Sequence, residues 1–470
     1  MATRVNTKFV VILATALVLL VGGSIFAFTK YMKSASDYAR MGEDSLLEAQ
    51  DARKAGDIEL SNAKLDRASR YFGTANQKDA KNTSYLYRLI DAQELVACDD
   101  LTLAYNHVET IRGAAASIHD TPGATEEDRA YLYELLHKHD RMDLVINGRP
   151  ARGFINFYAN NWLNNHPGDA MAMRYLAIGE TGFVESEQVN SEKRRKILEN
   201  LTSALEADPK NPWLYNAAGR YHIGNARRLY RASGSAFTDE VNATFYRSYE
   251  ELKRAVALAD QNKNPGALVE ALGLMLEISS RDQTVATEII GERIETARLL
   301  HEKLADKAVR DKLFTQELAK AVRYIGLMGS GIEGHAFEGF EYSQKLAEAV
   351  VKDRADEPAA YAILGALYSE RSKLEESEKT IENGLKTLSK NRLPNPVQFV
   401  EDVQARLNML STIAEVKINL AQQIKDDREA KKALLVEAGK LVAQLAKAPA
   451  PQTEQRDARS QFLRGRIDFA

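Results

Sequence analysis

One arrangement of large, small and aromatic residues occurs twice in this chain, each time directly after a proline and at the spacing of an α-helix. The first copy follows Pro212 and contains Tyr215, Ala218, Gly219 and His222. The second follows Pro358 and contains Tyr361, Leu364, Gly365, Tyr368, Leu374, Ser377, Ile381, Gly384 and Leu385. Proline is favoured in the first helical turn, where its missing N–H has no intrahelical partner. The pattern predicts pairs of antiparallel helices that stack on their neighbours and build concave surfaces.

The composition extends this prediction to the whole chain. With 470 residues, the chain is too long for one compact core, so several domains or an elongated array are expected. Only 11 prolines and 27 glycines interrupt a sequence rich in good helix formers. No run alternates convincingly between apolar and polar residues. We therefore predict an all-α fold without sheet.

The charge balance and the cysteine count exclude several classes of function. A formal net charge of −3, from 63 basic and 66 acidic residues, gives no long-range field that would attract nucleic acid, so no nucleic-acid partner is expected. The single cysteine, Cys98, rules out an intrachain disulfide and a cysteine-based metal cluster. Its apolar neighbours predict a core position.

Residues 9–28 form an uncharged, strongly apolar segment. At a rise of about 1.5 Å per residue, such a helix spans a bilayer core of roughly 30 Å. We predict an uncleaved transmembrane anchor that follows a short tail at residues 1–8. A cleaved signal peptide is the alternative, with Val21 and Gly23 as a small-residue cleavage site, although its apolar stretch is usually about 7–15 residues long. A buried core helix is the third interpretation.

The sequence only weakly indicates on which side of the membrane the repeat region lies. Basic residues flank both ends in similar number (Arg4 and Lys8 before it, Lys30 and Lys33 after it), so the positive-inside rule barely decides. Because little sequence precedes the anchor, we expect the repeat region on the exported side. The cytoplasmic side is the alternative.

The units at 212–260 and 358–391 resemble tetratricopeptide repeats of the bacterial, membrane-anchored type. The resemblance rests on the tyrosine and glycine positions named above and on the link Leu-Glu-Ala-Asp-Pro-Lys-Asn-Pro at 205–212, which is typical of bacterial members. In this family Gly219 and Gly365 would let the two helices of a unit approach. The rest of the chain is helical at compatible spacing but departs from the pattern. The resemblance implies about eight to ten helix pairs.

Membership in this family would imply a scaffold that holds proteins or peptides in a concave groove. By resemblance, the groove is lined by exposed positions of each first helix, here Asn216, Arg220, Ala362, Ala366 and Ser369. One subset of the family clamps a partner's C-terminal carboxylate with Lys, Asn and Arg from consecutive repeats. Asn216 and Arg220 have suitable chemistry, but the neighbouring unit lacks matching residues, so this clamp is not expected.

The resemblance also divides the chain. Residues 31–167 are expected to form irregular helical repeats, 168–391 more regular repeats with insertions, and 397–470 repeat-like helices that end in mid-repeat. The insertions, near residue 185 and at 227–242, are expected to lengthen connections between helices. A last helix, predicted from about Asp457, would leave its apolar face uncovered at Ala470. This favours a natural chain that continues, with an atypical cap as the alternative.

Motifs that suggest chemistry have simpler interpretations. Gly329 to Gly334 reads GxGxxG but follows a helix instead of a strand, so a turn is predicted. His137 and His139 lie two apart and would point to different faces of a helix. His301-Glu302 begins a zinc-protease signature that fails at Ala305. We therefore predict no catalytic residue, no cofactor, no metal site and no enzymatic activity.

Two basic clusters stand out. Lys193 to Lys196 form one run, and Arg227, Arg228 and Arg231 form the other. They allow contact with acidic partners or lipid headgroups, although an ordinary solvated surface explains most such runs.

Three functional hypotheses follow. The first is a membrane-anchored scaffold that binds proteins or peptides through its groove. The second is the N-terminal recognition arm of a larger enzyme whose catalytic region lies outside this chain. The third is a structural protein that self-associates.

Overall fold

The computed structural model describes residues 33–147, 153–181, 189–281, 286–327, 339–389, 394–450 and 453–470, together with Thr15 and Val184. Over these ranges the chain forms twenty helices and no strand, which confirms the all-α prediction there. The predicted anchor at 9–28 lies outside the described residues, apart from Thr15. Among the helices that are described, none has both the length and the apolar composition required to cross a membrane.

The described chain divides into two compact units. The first contains the described residues up to Leu132 together with Asn395–Val397, and the second contains Tyr133–Pro394 and Gln398–Ala470. The helices that begin before Tyr133 are α1 (Ala35–Lys54), α2 (Ile58–Lys78), α3 (Ser84–Glu94), α4 (Leu101–His119) and α5 (Glu126–Asn147).

The helices that follow α5 are α6 (Gly153–Asn165), α7 (Ala170–Glu180), α8 (Ser191–Ala207), α9 (Pro212–Ala232), α10 (Asp239–Gln261), α11 (Pro265–Arg281), α12 (Ala286–Ala305), α13 (Lys307–Arg310), α14 (Thr315–Leu327), α15 (Gly339–Asp353), α16 (Pro358–Glu370), α17 (Leu374–Ser389), α18 (Pro396–Gln423), α19 (Arg428–Lys447) and α20 (Thr453–Phe469).

Three of the helix pairs are closed by the same hydrogen bond. A buried serine of the second helix donates its hydroxyl to a backbone carbonyl of the first. The bonds run from Ser61 to Ala49 (3.0 Å), from Ser248 to Gly219 (3.0 Å) and from Ser377 to Gly365 (2.7 Å). In each pair an apolar residue follows the serine by four positions and is fully buried, namely Leu65, Leu252 and Ile381. The three pairs therefore share one antiparallel register.

Two glycines allow the close approach predicted from the resemblance. A Cβ atom at Gly219 would lie 2.6 Å from the Leu252 side chain, and one at Gly365 would overlap Ile381. The tyrosine four residues before each glycine also makes an equivalent bond: Tyr215 donates to the Pro209 carbonyl (3.1 Å) and Tyr361 to that of Ala355 (3.0 Å). The two sequence copies thus fold as structurally equivalent pairs.

The insertion at 227–242 lengthens the connection, as predicted, but only to residues 233–238, compared with residues 371–373 between α16 and α17. Helix α9 continues to Ala232 and α10 begins at Asp239, so most of the extra residues extend the two helices. Tyr230 and Phe237 pack together at 4.5 Å and hold the ends of the extension. Gly234 and Ser235, with φ of 68° and 63°, make the turn.

Another predicted boundary shifts by about one turn. The last helix begins at Thr453, before the predicted start near Asp457. Cys98 is buried, as predicted. The GxGxxG segment lies outside the described residues, as do the side chains of His137 and His139.

In the second unit the buried apolar side chains form a continuous cluster from Ile223 to Leu367, which crosses several helix pairs. Each fully buried Leu, Ile or Phe contributes about 1.5–3 kcal/mol relative to an exposed one. The pairs are therefore stabilised by their neighbours as well as by their own packing, as in stacked repeats.

Candidate functional site

The first helices of successive pairs lie side by side in the second unit. Helix α9 contacts α7 and α11, α11 contacts α14, and α14 contacts α16. We call this set (α7, α9, α11, α14 and α16) the first-helix row. Such a row is the surface on which a helical-repeat array presents side chains to a partner.

A ladder of charged and polar side chains crosses three helices of this row. Arg220 of α9 pairs with Glu270 of α11, and seven residues further along each helix Arg227 pairs with Glu277 at 3.2 Å. Tyr324 of α14 donates its hydroxyl to the other oxygen of Glu277 at 3.3 Å. The equal spacing on α9 and α11 shows that these two helices run parallel.

The structure places the predicted groove residues in two different environments. Asn216 is 1% exposed, and its amide donates to the Ala267 carbonyl at 2.9 Å, so the prediction that it is an exposed groove residue is wrong. Arg220 is half-buried in its ion pair with Glu270. Both side chains join α9 to the next first helix, because α11 packs directly against this face.

Ala362, Ala366 and Ser369 of α16 are half-buried and share one helix face through their spacing of four and three residues. A role of any of these five residues in binding a partner stays a prediction.

A cleft of about 550 Å³ lies next to the start of α9. This volume falls within the range of roughly 300–1,000 Å³ that is usual for ligand sites. Its lining comes from α5, from α7 and from the segments that lead into α9 and α11, and consists of Glu134, Arg174, Tyr175, Ile178, Asp208, Lys210, Asn211, Pro212, Trp213, Asn262 and Asn264.

Local bonds hold the shape of this cleft. The Asn211 side chain accepts from the backbone N–H of Trp213 (3.0 Å) and donates to Asp208 (2.9 Å), so it both caps α9 and fixes the loop. Asn262 donates to the Lys210 carbonyl at 3.0 Å. These bonds fix the loop that leads into α9 and join it to the segment that leads into α11.

The cleft wall combines an aromatic surface with balanced charges. Tyr175 stacks on Tyr133 with ring centroids 4.7 Å apart, and burial raises the pKa of Tyr175. The Arg174 guanidinium lies 4.7 Å from the Tyr175 ring centre and 3.6 Å from Asp208. With Lys210 and Glu134 also present, the lining suits a polar, weakly charged chain such as a peptide.

Sequence reasoning did not find this cleft. Trp213 could have indicated the cleft, because it is one of only two tryptophans and directly follows the proline that begins the unit. Six further wall residues come from segments far from Trp213 in the sequence, and no spacing rule connects them, namely Glu134, Arg174, Tyr175, Ile178, Asn262 and Asn264.

Within the described ranges, no three His, Cys, Asp or Glu side chains are grouped so that they would hold a metal ion. His301 stacks on Tyr342 at 4.4 Å. Burial raises the pKa of the Cys98 thiol to about 11, which keeps it protonated at neutral pH. These residues therefore have packing roles.

Comparisons with known proteins identify no family. No family model matches the chain, and no curated protein matches it. Among solved structures, the human IFIT1 dimer with PPP-AAAA is 10% identical, with 90% of each chain covered and a TM-score of 0.29. The structure of Naa15/Naa10 bound to HypK-THB is 13% identical, with 93% of this chain and 75% of that chain covered and a TM-score of 0.25. Such low TM-scores carry no argument about this chain, so its description as stacked helix pairs rests on its own contacts.

Proposed function

We propose that this chain is a membrane-anchored helical-repeat scaffold of the tetratricopeptide type, which binds a protein or peptide along the first-helix row. The observation that carries the proposal is the row itself, with α9, α11 and α14 joined side by side by the Arg227, Glu277 and Tyr324 contacts. A partner would meet side chains held by neighbouring helices, which lowers the entropy lost on binding.

The cleft beside α9 supplies an anchor point at one end of this surface. Trp213 and Ile178 offer apolar area, and Asn262 and Asn264 offer amides for a peptide backbone. Interface energy concentrates at buried aromatic anchors of this kind. The scaffold would have no catalytic residue or cofactor of its own.

The membrane anchor in this proposal rests on the sequence of residues 9–28 alone. Alkaline carbonate extraction of the natively expressed chain tests it. Retention in the membrane pellet is expected, and release into the supernatant would remove the anchor from the proposal. Protease protection in sealed vesicles then tests whether the repeat region lies on the exported side.

Affinity purification of the full chain from its native cells tests the binding surface. The row variant carries Ala362→Glu, Ala366→Glu and Ser369→Glu. The matched control adds the same charge at exposed positions of the second helices α17 and α19, through Asn383→Glu, Ala433→Glu and Ala443→Glu. We expect the row variant, and Trp213→Ala in the cleft, to lose partners that the control retains. Equal recovery by all variants would refute binding along the row, and recovery of RNA in place of protein would refute the partner class.

A further inference from the structure

One end of the α1/α2 pair gathers tyrosines and exposed lysines. We call this end, formed by residues 33–40 and 71–82, the anchor-side end, because α1 follows the predicted anchor in the sequence. Tyr38 of α1 and Tyr71 of α2 lie there with ring centroids 6.2 Å apart. The Lys78 ammonium lies 5.6 Å from the centre of the Tyr38 ring. These contacts place the last turns of α2 beside the first turn of α1.

Positive charge exceeds negative charge at the anchor-side end. This end contains four basic residues and two acidic ones, namely Lys33, Arg40, Lys78, Lys81, Asp37 and Asp79. The three lysines are exposed. Asp37 is held locally, because it accepts from the Ser34 backbone N–H at 2.9 Å and pairs with Arg40 at 3.6 Å. No acidic residue precedes Asp37 in the sequence, whereas Lys30 adds another positive charge.

The chain between the predicted anchor and α1 is short. Ser34, the N-cap of α1, follows Phe28 by six residues. Even when fully extended, such a segment reaches only about 20 Å. An anchor at 9–28 therefore keeps the anchor-side end within about 20 Å of the hydrocarbon core, and the headgroup layer covers roughly 5–8 Å of that distance. The opposite end of α1 lies about 30 Å away along the helix axis.

We propose that the anchor-side end binds the anionic lipid headgroups of the bilayer that holds the anchor. This inference rests on the membrane anchor of the proposed function. Lysine ammoniums are compact, hydrated charges, and exposed basic side chains next to a membrane segment attract acidic lipids. Tyrosine has an apolar body and a polar tip and is enriched at membrane–water interfaces. Binding at this end would fix the direction in which the α1/α2 pair leaves the bilayer.

Other anionic partners fit this end less well. The short tether keeps a bilayer surface beside the lysines at a high effective concentration, which a soluble acidic protein does not have. Nucleic acid would use exposed aromatic faces for base stacking. Here both tyrosine rings are partly covered, because Lys78 lies over Tyr38 and the Arg67 guanidinium lies 5.4 Å from the centre of the Tyr71 ring.

Fluorescence quenching in vesicles tests the proposal with the full chain. A fluorophore is attached through Gln77→Cys at the anchor-side end, or through Ala55→Cys at the opposite end, each combined with Cys98→Ala. Both labelled positions are exposed. The vesicles contain phosphatidylcholine with or without phosphatidylglycerol, and the quencher is attached to a lipid headgroup. We expect quenching at residue 77 that requires phosphatidylglycerol and weakens as ionic strength rises, and little quenching at residue 55.

Two sets of substitutions on the same helix pair then separate local charge from total charge. The site variant combines Lys33→Gln, Lys78→Gln and Lys81→Gln. The control combines Lys54→Gln, Lys64→Gln and Arg70→Gln, whose side chains already pair with carboxylates at 3.3, 2.5 and 2.8 Å. We expect the ratio of bound to unbound ends to fall by about tenfold or more in the site variant and by less than about twofold in the control. Arginine at the three site positions should preserve binding.

Several outcomes would overturn the proposal. These are equal quenching in the site and control variants, equal quenching in the two kinds of vesicle, and equal quenching at residues 55 and 77. Tighter binding of oligoglutamate or oligoadenylate through the same three lysines would also overturn it, in favour of an acidic protein or RNA. Circular dichroism checks that the variants fold. If alkaline carbonate releases the chain from the vesicles, the anchor and this surface are both refuted. If the chain is retained but residue 77 is not quenched, only this surface is refuted.

Discussion

The pairs α9/α10 and α16/α17 begin from the same sequence pattern and end in different surroundings. Both open with proline, both place a glycine under an apolar residue of the second helix, and both close with a serine-to-carbonyl bond. Yet Asn216 and Arg220 of α9 bond to residues at the start of α11 and within it. The equivalent Ala362 and Ala366 of α16 stay half-exposed. The pattern thus encodes how a pair closes, while the neighbouring pair decides which side chains remain for binding.

The largest expected contrast between the two pairs is their response to acid. His222 of α9 is 8% exposed, and burial together with Arg247 lowers its pKa to about 4, whereas the equivalent position in α16 is Tyr368. A folded pKa below the ordinary value of 6.5 contributes stability above pH 6.5 that is lost as the pH falls towards 4. Between pH 7 and pH 4, the free energy of unfolding of the native chain should therefore fall by up to about 3 kcal/mol more than that of His222→Gln. Urea unfolding at several pH values measures this difference, and parallel pH profiles would contradict it.

The shared closure of the two pairs is tested next by adding one methyl group. Gly219→Ala and Gly365→Ala should each destabilise the chain by about 1–3 kcal/mol, because the new Cβ meets Leu252 or Ile381. Gly439→Ala and Gly465→Ala are matched controls in helices where the new Cβ meets nothing within 4 Å. They should raise the free energy of unfolding by up to about 1 kcal/mol. Urea titration of all four variants provides the measurement. A gain at Gly219 or Gly365 would show that the close approach is dispensable.

The buried asparagine separates the two pairs more subtly. Asn216→Ala removes the hydrogen bond to Ala267 and should lower the free energy of unfolding by about 1–2 kcal/mol. The reverse change, Ala362→Asn, adds a polar group at a half-exposed site and should change the free energy of unfolding by no more than about 0.5 kcal/mol. Thermal unfolding of both variants compares them directly, and equal losses would mean that the two positions have the same surroundings.

The smallest change in the free energy of unfolding is expected at the ion pair between Arg220 and Glu270. Arg220→Gln removes the partner of Glu270 and should cost about 1 kcal/mol or less at low salt, with the difference shrinking as ionic strength rises. Ala366→Gln, at the equivalent position, should be neutral at every salt concentration. A salt-independent loss at Arg220 would point to packing instead of charge as the role of this side chain.

The helices, their pairing and the close approach at Gly219 and Gly365 could be predicted from the amino-acid sequence alone. These features depend on residues within one unit, where helical spacing, proline starts and small residues act locally. The sequence also marked both basic clusters and the apolar segment at 9–28. It did not mark the serine closure of α1/α2, because Ser61 and Ala49 are unremarkable residues at their helical positions.

The packing between neighbouring pairs determines which polar side chains stay accessible to a partner. Asn216 donates to the Ala267 carbonyl and Arg220 pairs with Glu270, each across about 50 residues of sequence. Those contacts depend on how one pair rotates and translates against the next, which is set by the packing of many side chains at once. A one-dimensional pattern carries no such information, so the surroundings of each groove position and the cleft beside Trp213 became visible only in the folded chain.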